Sequence, residues 1–198
     1  MKLYFMRHAP TAPNLTGAMV QDYSQEPIAG TMPEHWQEDI GQYLPEININ
    51  TPIISSPAKR CQQTAKLLFK IPPMMVFNEL NEFDCSELNN LKFWEITKEE
   101  FEKIVPLKPE DMEKQIDIDF KFFETLHDAF PKINNIVCIS HGMVIRYIYH
   151  YLTGNKGISA YDVINSNGFK FYNLDLLVYD TETKEIKDYH NRDHITHF

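Results

Sequence analysis

Long apolar runs are absent from this chain of 198 residues. No segment approaches the roughly 20 apolar residues that a membrane-spanning helix requires. The opening apolar run, residues 3–6, is too short for the core of a signal peptide and leads directly into Arg7 and His8. The sequence therefore predicts a cytoplasmic protein with neither a membrane span nor a membrane partner.

Cysteine is equally scarce. The three cysteines, Cys61, Cys85 and Cys138, are odd in number and widely spaced, and no C-x-x-C pair occurs. This pattern is typical of reduced thiols in a cytosolic protein and argues against a disulfide framework.

Positive charge is also limited, with 19 basic against 28 acidic residues and a net charge of −9. Such a surface repels nucleic acid and anionic membranes, so neither is an expected partner. Arginine supplies a planar, permanently charged fork for phosphate or carboxylate that lysine does not supply. Its few positions are therefore informative: they are Arg7, Arg60, Arg146 and Arg192.

The length and the hydrophobic content of 43% fit one domain with a sizeable core. Apolar runs predict strands at 3–6, 52–55, 74–77, 135–140, 169–174, 176–179 and 185–189. Apolar residues at helical spacing predict helices at 33–44, 58–68, 112–130 and 144–152, with one or two short helices between 94 and 113. Proline and glycine predict a loop over 11–33, and Ser55 or Ser56 is a candidate N-cap of the second helix.

Two predicted strands end in a histidine. Arg7 and His8 follow the first strand, and His141 follows Ser140 at the end of the strand over 135–140. Ligands of open α/β sheets bind at the carboxyl ends of the strands, so the two histidines are expected to converge if these strands are parallel neighbours. Arg60 lies in the first turn of a helix that follows another strand, where the helix dipole also favours an anion. Each signal is weak alone, and Arg60 fits a solvated helix surface equally well.

Four stretches, in the order found in the family, resemble the histidine phosphatase superfamily, which includes cofactor-dependent phosphoglycerate mutases and many small phosphomonoesterases. They are Arg7-His8 with Thr11 and Asn14, Ser55-Ser56-Pro57-x-x-Arg60-x-x-x-Thr64-Ala65, Leu80-Asn81-Glu82, and Ser140-His141-Gly142 followed by Ile145-Arg146. The resemblance implies a three-layer α/β sandwich with a mostly parallel central sheet and helices on both faces. It also implies one domain over 1–198, with a small lid from about 11–30 and 89–109.

The resemblance implies that His8 is the nucleophile, Glu82 the proton donor, and Arg7, Arg60 and His141 the remaining catalytic groups. Substrate binding is assigned to Arg7, Asn14, Arg60 and His141. The chemistry fits these residue types, because the oxygens of a phosphomonoester need fixed cations and a neutral imidazole attacks phosphorus. Neighbouring cations disfavour the imidazolium, and the second ring nitrogen of His8 is expected to donate to a backbone carbonyl. No metal and no cofactor are expected.

The sequence departs from the family pattern in the first motif and in the loop that carries Glu82, called the acid loop below. Ala9 stands where the family usually has glycine. Pro10 and Pro13 stand where mutases are expected to have an acidic residue and a tryptophan. Cys85 lies near a position often occupied by glycine, so the register of the acid loop stays open and Glu79 or Glu87 remains an alternative to Glu82.

The short segment between Glu82 and His141 favours a phosphatase over a mutase. The expected function is therefore metal-independent hydrolysis of a small phosphorylated metabolite through phospho-His8. A phosphoglycerate-type mutase, a non-catalytic module that binds a phosphorylated ligand, and an α/β protein with coincidental motifs remain alternatives. His190, His194 and His197 could bind a metal, but a polar tail is preferred. The oligomeric state is left open.

Overall fold

A six-stranded sheet organises the chain in the computed structural model, which describes residues 1–16, 24, 47, 50–84, 86–88, 91, 95–105, 107–165 and 171–190. The strands are β1 (Lys2–Arg7), β2 (Ile53–Ser55), β3 (Met75–Val76), β4 (Asn135–Ser140), β5 (Leu176–Asp180) and β6 (Ile186–Tyr189). Their order is β3-β2-β4-β1-β5-β6. The first four strands in that order are mutually parallel, while β5 and β6 run antiparallel to their neighbours. The mostly parallel sheet expected from the sequence is confirmed.

The two strands that end in histidines are neighbours at the centre of the sheet. β1 pairs with β4 in parallel, and Arg7 lies opposite Ser140 in the register. The pairing extends one step further, because the backbone N–H of His8 donates to the carbonyl of Ser140 at 3.0 Å. Both strands therefore end at the same edge of the sheet, and this shared end fixes the backbone positions of the two histidines.

Helices cover both faces of the sheet, as expected. They are α1 (Ala12–Thr16), α2 (Lys59–Phe69), α3 (Lys98–Ile104), α4 (Pro109–Ala129), α5 (Gly142–Leu152) and α6 (Ala160–Asn165). Side chains of β1 alternate between the faces: Leu3 and Phe5 lie in one apolar core with α4 and α5, while Tyr4 and Met6 lie in a second core with α2. Among the described residues, no helix has the length and apolar character needed to cross a bilayer.

Four details of the predicted elements are wrong. The loop expected from residue 11 contains α1, and α6 was not predicted. α2 begins at Lys59 with Ala58 as N-cap and no side-chain cap; the Ser56 hydroxyl accepts from the N–H of Ala58 at 3.2 Å and donates to Asn81. Residues 171–174 form a turn before β5 rather than a strand. The predicted helix over 33–44, most of the first lid segment (11–30), Cys85 and the histidines at 194 and 197 lie outside the described residues. Most of the second lid segment (89–109) is described, and it contains α3.

One buried carboxyl lies in the core away from the strand ends. Asp119 on α4 is completely buried. Burial raises the pKa of Asp119 to about 8; the nearby amide of Gln115 opposes this shift, and the charge of Glu79 adds to it. Below its ordinary pKa this carboxyl is protonated in both the folded and the unfolded chain. Between pH 4 and pH 8 only the unfolded chain releases the proton, so folding becomes less favourable as the pH rises.

We expect Asp119→Asn to remove this pH-dependent cost. Each unit of pKa shift corresponds to about 1.4 kcal/mol, so the gain relative to the wild type should grow by about 2–4 kcal/mol between pH 5 and pH 8.5 after allowance for relaxation of the site. Denaturant unfolding at the two pH values measures it, and the difference between them cancels any change in packing. The exposed Asp128→Asn on the same helix is the control. An equal effect of Asp119→Asn at both pH values would contradict the expectation.

Candidate active site

The carboxyl edge of β1 and β4 brings two buried imidazoles together. His8 follows β1 and His141 caps the start of α5, and both side chains are almost completely excluded from solvent. Their ring centroids lie 5.4 Å apart at an interplanar angle of 65°. The convergence expected from the two strand ends is therefore present.

The ring of His8 is oriented by its own backbone neighbour. Its Nδ1 lies 2.8 Å from the carbonyl oxygen of Ala9. Because a carbonyl only accepts, Nδ1 carries the proton in this contact, and Nε2 is left with its lone pair. Burial lowers the pKa of His8 well below its usual value, and the charges of Arg60 and Arg7 lower it further. The imidazole is therefore neutral near pH 7, as a nitrogen nucleophile must be.

Arg60 joins the two histidines. It lies in the first turn of α2 and is buried. Its Nε donates to Nε2 of His8 at 3.2 Å, and its Nη2 lies 3.0 Å from Nδ1 of His141. Because a guanidinium only donates, both ring nitrogens act as acceptors here. One planar cation thus faces the lone pairs of both imidazoles, which places it at the centre of the site.

Ser56 fixes the second imidazole from the other side. Its hydroxyl lies 2.8 Å from Nε2 of His141 and donates to Oδ1 of Asn81, also at 2.8 Å. With Nδ1 of His141 facing Arg60, the proton of this ring lies on Nε2 and is donated to Ser56. Burial lowers the pKa of His141 well below its usual value, with Arg60, His8 and Arg7 contributing in the same direction. Ser56 belongs to one of the four predicted motifs, but no role at the site was predicted for it.

Three of the four arginines of the chain converge here. The Nη1 of Arg7 donates to the carbonyl of Phe171 at 2.8 Å, and Nη2 of Arg146 contacts the same oxygen at 3.4 Å. Burial and the charge of Arg146 together lower the pKa of Arg7 to about 10, although nearby carboxylates oppose the shift. With Arg60, these cations give the site a strong preference for an anion. Arg146 was among the four informative arginines and in the last motif, but it was not predicted as a site residue.

Glu82 is the carboxyl that lies among these arginines. Backbone N–H groups of Met143, in the first turn of α5, and of Phe83 donate to it, and its buried Oε1 has no hydrogen-bond partner among the described residues. Burial raises the pKa of Glu82, although Arg60 and Arg7 pull it down. A carboxyl that holds its proton to higher pH than usual can donate it.

The two alternative carboxyls are placed differently. Glu79 lies beside Asp119 of α4, and Glu87 is exposed in a 3-10 turn over Ser86–Leu88. Of the three, the geometry therefore favours Glu82 as the acid.

Further side chains hold the first motif in place. Oγ1 of Thr64 accepts from the N–H of Ala9 at 2.9 Å and donates to the carbonyl of Arg60 at 2.7 Å. Nδ2 of Asn173 donates to the carbonyl of His8 at 2.8 Å and lies 3.5 Å from Oδ1 of Asn14. Asn14, a predicted substrate ligand, thus lies next to the Arg7-His8 motif.

Asn173 was not predicted, because it follows an apolar stretch with no motif of its own. Among the residues that the structure describes, no group of three or more His, Cys, Asp and Glu side chains is arranged to hold a metal ion.

Gly142 lets Arg7 approach the start of α5. A Cβ atom at this position would lie 3.0 Å from Nε and 3.1 Å from Cζ of Arg7, closer than most real contacts. We expect Gly142→Ala to displace the guanidinium by a few tenths of an ångström and to weaken binding of inorganic phosphate by about tenfold. The melting temperature should not fall, because alanine suits a helical turn better than glycine. Calorimetric titration measures the affinity, and an unchanged affinity would contradict this role of Gly142.

Comparisons with known proteins agree with the geometry. A family model described as histidine phosphatase superfamily (branch 1) matches residues 3–191. A phosphoserine phosphatase mutant from Entamoeba histolytica, solved with phosphoserine, superposes with a TM-score of 0.70 at 16% identity, covering 94% of both chains. A phosphoglycerate mutase from Bacillus anthracis superposes with a TM-score of 0.65 at 15% identity, covering 98% of this chain and 95% of the other.

The alpha-ribazole phosphatase from Shigella flexneri is similarly close in fold, with a TM-score of 0.65 at 18% identity over 94% of this chain and 93% of the other. A search of curated protein sequences found no significant match. At these identities the solved structures establish the shared fold, while the family model covers nearly the whole chain.

Proposed function

Because the chain belongs to the histidine phosphatase superfamily, we propose that it is a phosphatase that hydrolyses a small phosphomonoester through a phosphohistidine on His8. The observation that carries the proposal is the contact between Nε of Arg60 and Nε2 of His8 at 3.2 Å. It places a neutral nucleophilic nitrogen and a fixed cation at the same point. This is the requirement for in-line attack on a phosphoryl group whose oxygens are negatively charged.

The first half-reaction forms the phosphoenzyme. The phosphoryl oxygens take the N–H donors of Arg60 that otherwise face His8 and His141, so binding of the substrate itself exposes the lone pair of Nε2. A nitrogen–phosphorus bond then forms while the ester bond breaks. Glu82 gives its proton to the leaving alkoxide, and Nδ1 of His8 keeps its proton on the carbonyl of Ala9.

The second half-reaction returns the enzyme to its starting state. Glu82, now ionised, takes a proton from a water molecule that attacks phosphorus, and the nitrogen–phosphorus bond breaks. Inorganic phosphate leaves, and both the Nε2 lone pair and the Glu82 proton are restored. The arginines stabilise the charge on the phosphoryl oxygens in both steps, so the reaction needs no metal ion.

The direct test is phosphate release from p-nitrophenyl phosphate in excess chelator, followed by trapping of the phosphorylated protein. We expect turnover to persist in chelator and the trapped phosphoryl group to be stable in base and labile in acid, as a phosphoramidate is. Loss of turnover on chelation would contradict the metal-independent mechanism.

A mutase remains the second candidate, since a phosphoglycerate mutase shares the fold. Its signature is isomerisation of a phosphorylated acid that depends on a bisphosphorylated primer and releases little free phosphate. A trapped phosphohistidine with primer-dependent isomerisation would support the mutase instead. Phosphate binding without any phosphoenzyme would support a binding module.

A further inference from the structure

A short turn immediately before β5 holds the end of β1, where the nucleophile begins. The backbone N–H of Leu174 donates to the carbonyl of Arg7, and the N–H of Arg7 donates to the carbonyl of Asp175, both at 3.1 Å. Leu174 has a φ of 67°, a left-handed conformation that is unfavourable for a residue other than glycine. Contacts around the turn must therefore maintain it.

The same turn also binds the side chains and backbone of the catalytic motif. Its first carbonyl, that of Phe171, accepts from Nη1 of Arg7 at 2.8 Å. Nδ2 of Asn173 donates to the carbonyl of His8 at 2.8 Å. A shift of this turn would therefore move both the phosphate-facing cation and the nucleophile.

Asp175 closes the turn with its carboxylate. Its side chain is completely buried, and its Oδ2 accepts from the backbone N–H of Tyr172 at 2.7 Å. The backbone N–H of Asp175 donates in return to the carbonyl of Tyr172 at 3.1 Å. A buried carboxylate needs such donors, because its charge is otherwise costly away from water.

His190 supplies a further contact to this carboxylate from the end of β6. Its Nδ1 lies 2.8 Å from Oδ2 of Asp175, and its Nε2 lies 3.0 Å from Oδ2 of Asp188. A protonated imidazole donates to both carboxylates, whereas a neutral one carries a single N–H and can donate to only one of them. The contact between β6 and the turn therefore depends on the charge of His190.

The charges around His190 favour its protonated form. Burial works to lower the pKa of His190, but the hydrogen bond and charge of Asp175, together with Asp188, outweigh it and raise the pKa. Asp175 also acts on Arg7 of β1 and Arg146 of α5: burial lowers the pKa of both arginines, and the charge of Asp175 opposes that lowering. A cation at His190 thus offsets a negative charge that otherwise weakens the field of the two arginines.

We propose that His190 is a positioning residue for the candidate active site: through the Asp175 carboxylate, it holds the turn over 171–175 against Arg7 and His8 and keeps the site receptive to phosphate. This inference rests on the proposed function for its catalytic meaning, but its structural content concerns phosphate binding alone. No sequence motif predicted this positioning role for Asp175 or His190.

The sign of the pH dependence is set by the charge of the imidazole. Below the pKa of His190 the imidazolium offsets Asp175, and the site binds phosphate at full strength. As the pH rises through that pKa, the offset is lost and phosphate binding weakens. The glutamine of His190→Gln can still donate to Asp175 but is never positively charged. The phosphate affinity of this variant should therefore equal that of the wild type only at high pH, where His190 is neutral.

The experiment measures the dissociation constant of inorganic phosphate by calorimetry from pH 6 to pH 9, for the whole chain and its variants. The ratio of the dissociation constant of a variant to that of the wild type at the same pH cancels the effect of the titration of phosphate itself. We expect His190→Gln to bind about five- to tenfold more weakly at pH 6 and equally at pH 9. Asp188→Asn should move the drop in affinity of the wild type to lower pH, because one of the carboxylates that raise the pKa of His190 is gone.

His190→Ala should weaken phosphate binding about tenfold or more at every pH, since the donor itself is lost. The exposed Lys187→Gln on the same strand is the matched control and should change nothing. A ratio for His190→Gln that is the same at pH 6 and pH 9, or normal affinity in His190→Ala, would overturn the proposal.

Phosphate binding and turnover separate the role of His190 from the proposed function, because binding requires neither a phosphoenzyme nor hydrolysis. A wild-type chain that binds phosphate with the expected pH-dependent ratio but hydrolyses no phosphomonoester would overturn the proposed hydrolysis and support the role of His190.

Discussion

Replacement of His8 by alanine is expected to abolish turnover, with a loss of at least about a thousandfold in kcat for any phosphomonoester. Its Nε2 combines a lone pair with a contact to Arg60, and the contact of its Nδ1 with the carbonyl of Ala9 fixes the tautomer that exposes this lone pair. No phosphorylated protein should be trapped from the variant. Phosphate release and acid-labile phosphorylation, measured side by side, check both expectations.

The controls for this variant separate chemistry from folding. His127→Ala, on the partly exposed surface of α4, should leave kcat unchanged. Binding of inorganic phosphate to His8→Ala should survive within about tenfold, because Arg7 and Arg60 remain. Retained turnover in His8→Ala would show that the nucleophile has been assigned to the wrong residue.

Replacement of Glu82 by glutamine is expected to slow kcat by about a hundred- to ten-thousandfold with alkyl phosphates. An alkoxide is a poor leaving group, and glutamine cannot give it a proton. With p-nitrophenyl phosphate the leaving group is already stable as an anion, so formation of the phosphoenzyme should be slowed far less. Comparison of the two substrate types in rapid-quench experiments therefore isolates the donation step.

The pH profile gives a second measure of the same group. Since burial raises the pKa of Glu82, the acid stays protonated to a higher pH than an ordinary carboxyl. Since the pKa of His8 is lowered, the nucleophile stays neutral to a lower pH than an ordinary imidazole. The wild type should thus be most active on the acid side of neutrality, and Glu82→Gln should lose the alkaline decline caused by this acid.

Glu79→Gln and Glu87→Gln serve as matched controls for Glu82, because all three lie within one short segment. Neither control residue lies among the arginines, and both variants should keep wild-type rates with both substrates. If Glu87→Gln instead slowed alkyl phosphates far more than p-nitrophenyl phosphate, the register of the acid loop would have to be reassigned.

The strand ends of the site could be predicted from sequence because their signals are local. One apolar run stops at Arg7 and His8, another stops at Ser140 and His141, and each marks a strand together with the polar residues at its carboxyl end. Their convergence needed only the expectation of parallel pairing, which the register confirms. Arg60 was placed correctly in the first turn of its helix for the same reason.

The turn before β5 could not be predicted because its meaning lies in distant contacts. Asn173 and the carbonyl of His8 that it holds are 165 positions apart in the chain. The apolar residues over 169–174 match a strand pattern, yet the left-handed conformation of Leu174 ends extended pairing there. The N-cap predicted at Ser56 was wrong for a related reason. Its hydroxyl accepts from the N–H of Ala58 rather than from the first turn of α2, and it also contacts His141 and Asn81.

The pairing of Arg7 with Ser140 has a consequence for how this protein can diversify. Both histidines are set by a single ladder of backbone hydrogen bonds in the middle of the sheet, and that ladder does not depend on which side chains surround the substrate. Connections that leave the edge of the sheet can lengthen, shorten or change composition without altering the spacing of the two rings. Selection for a new substrate can therefore change the loops while the arrangement of the two histidines at the strand ends is retained.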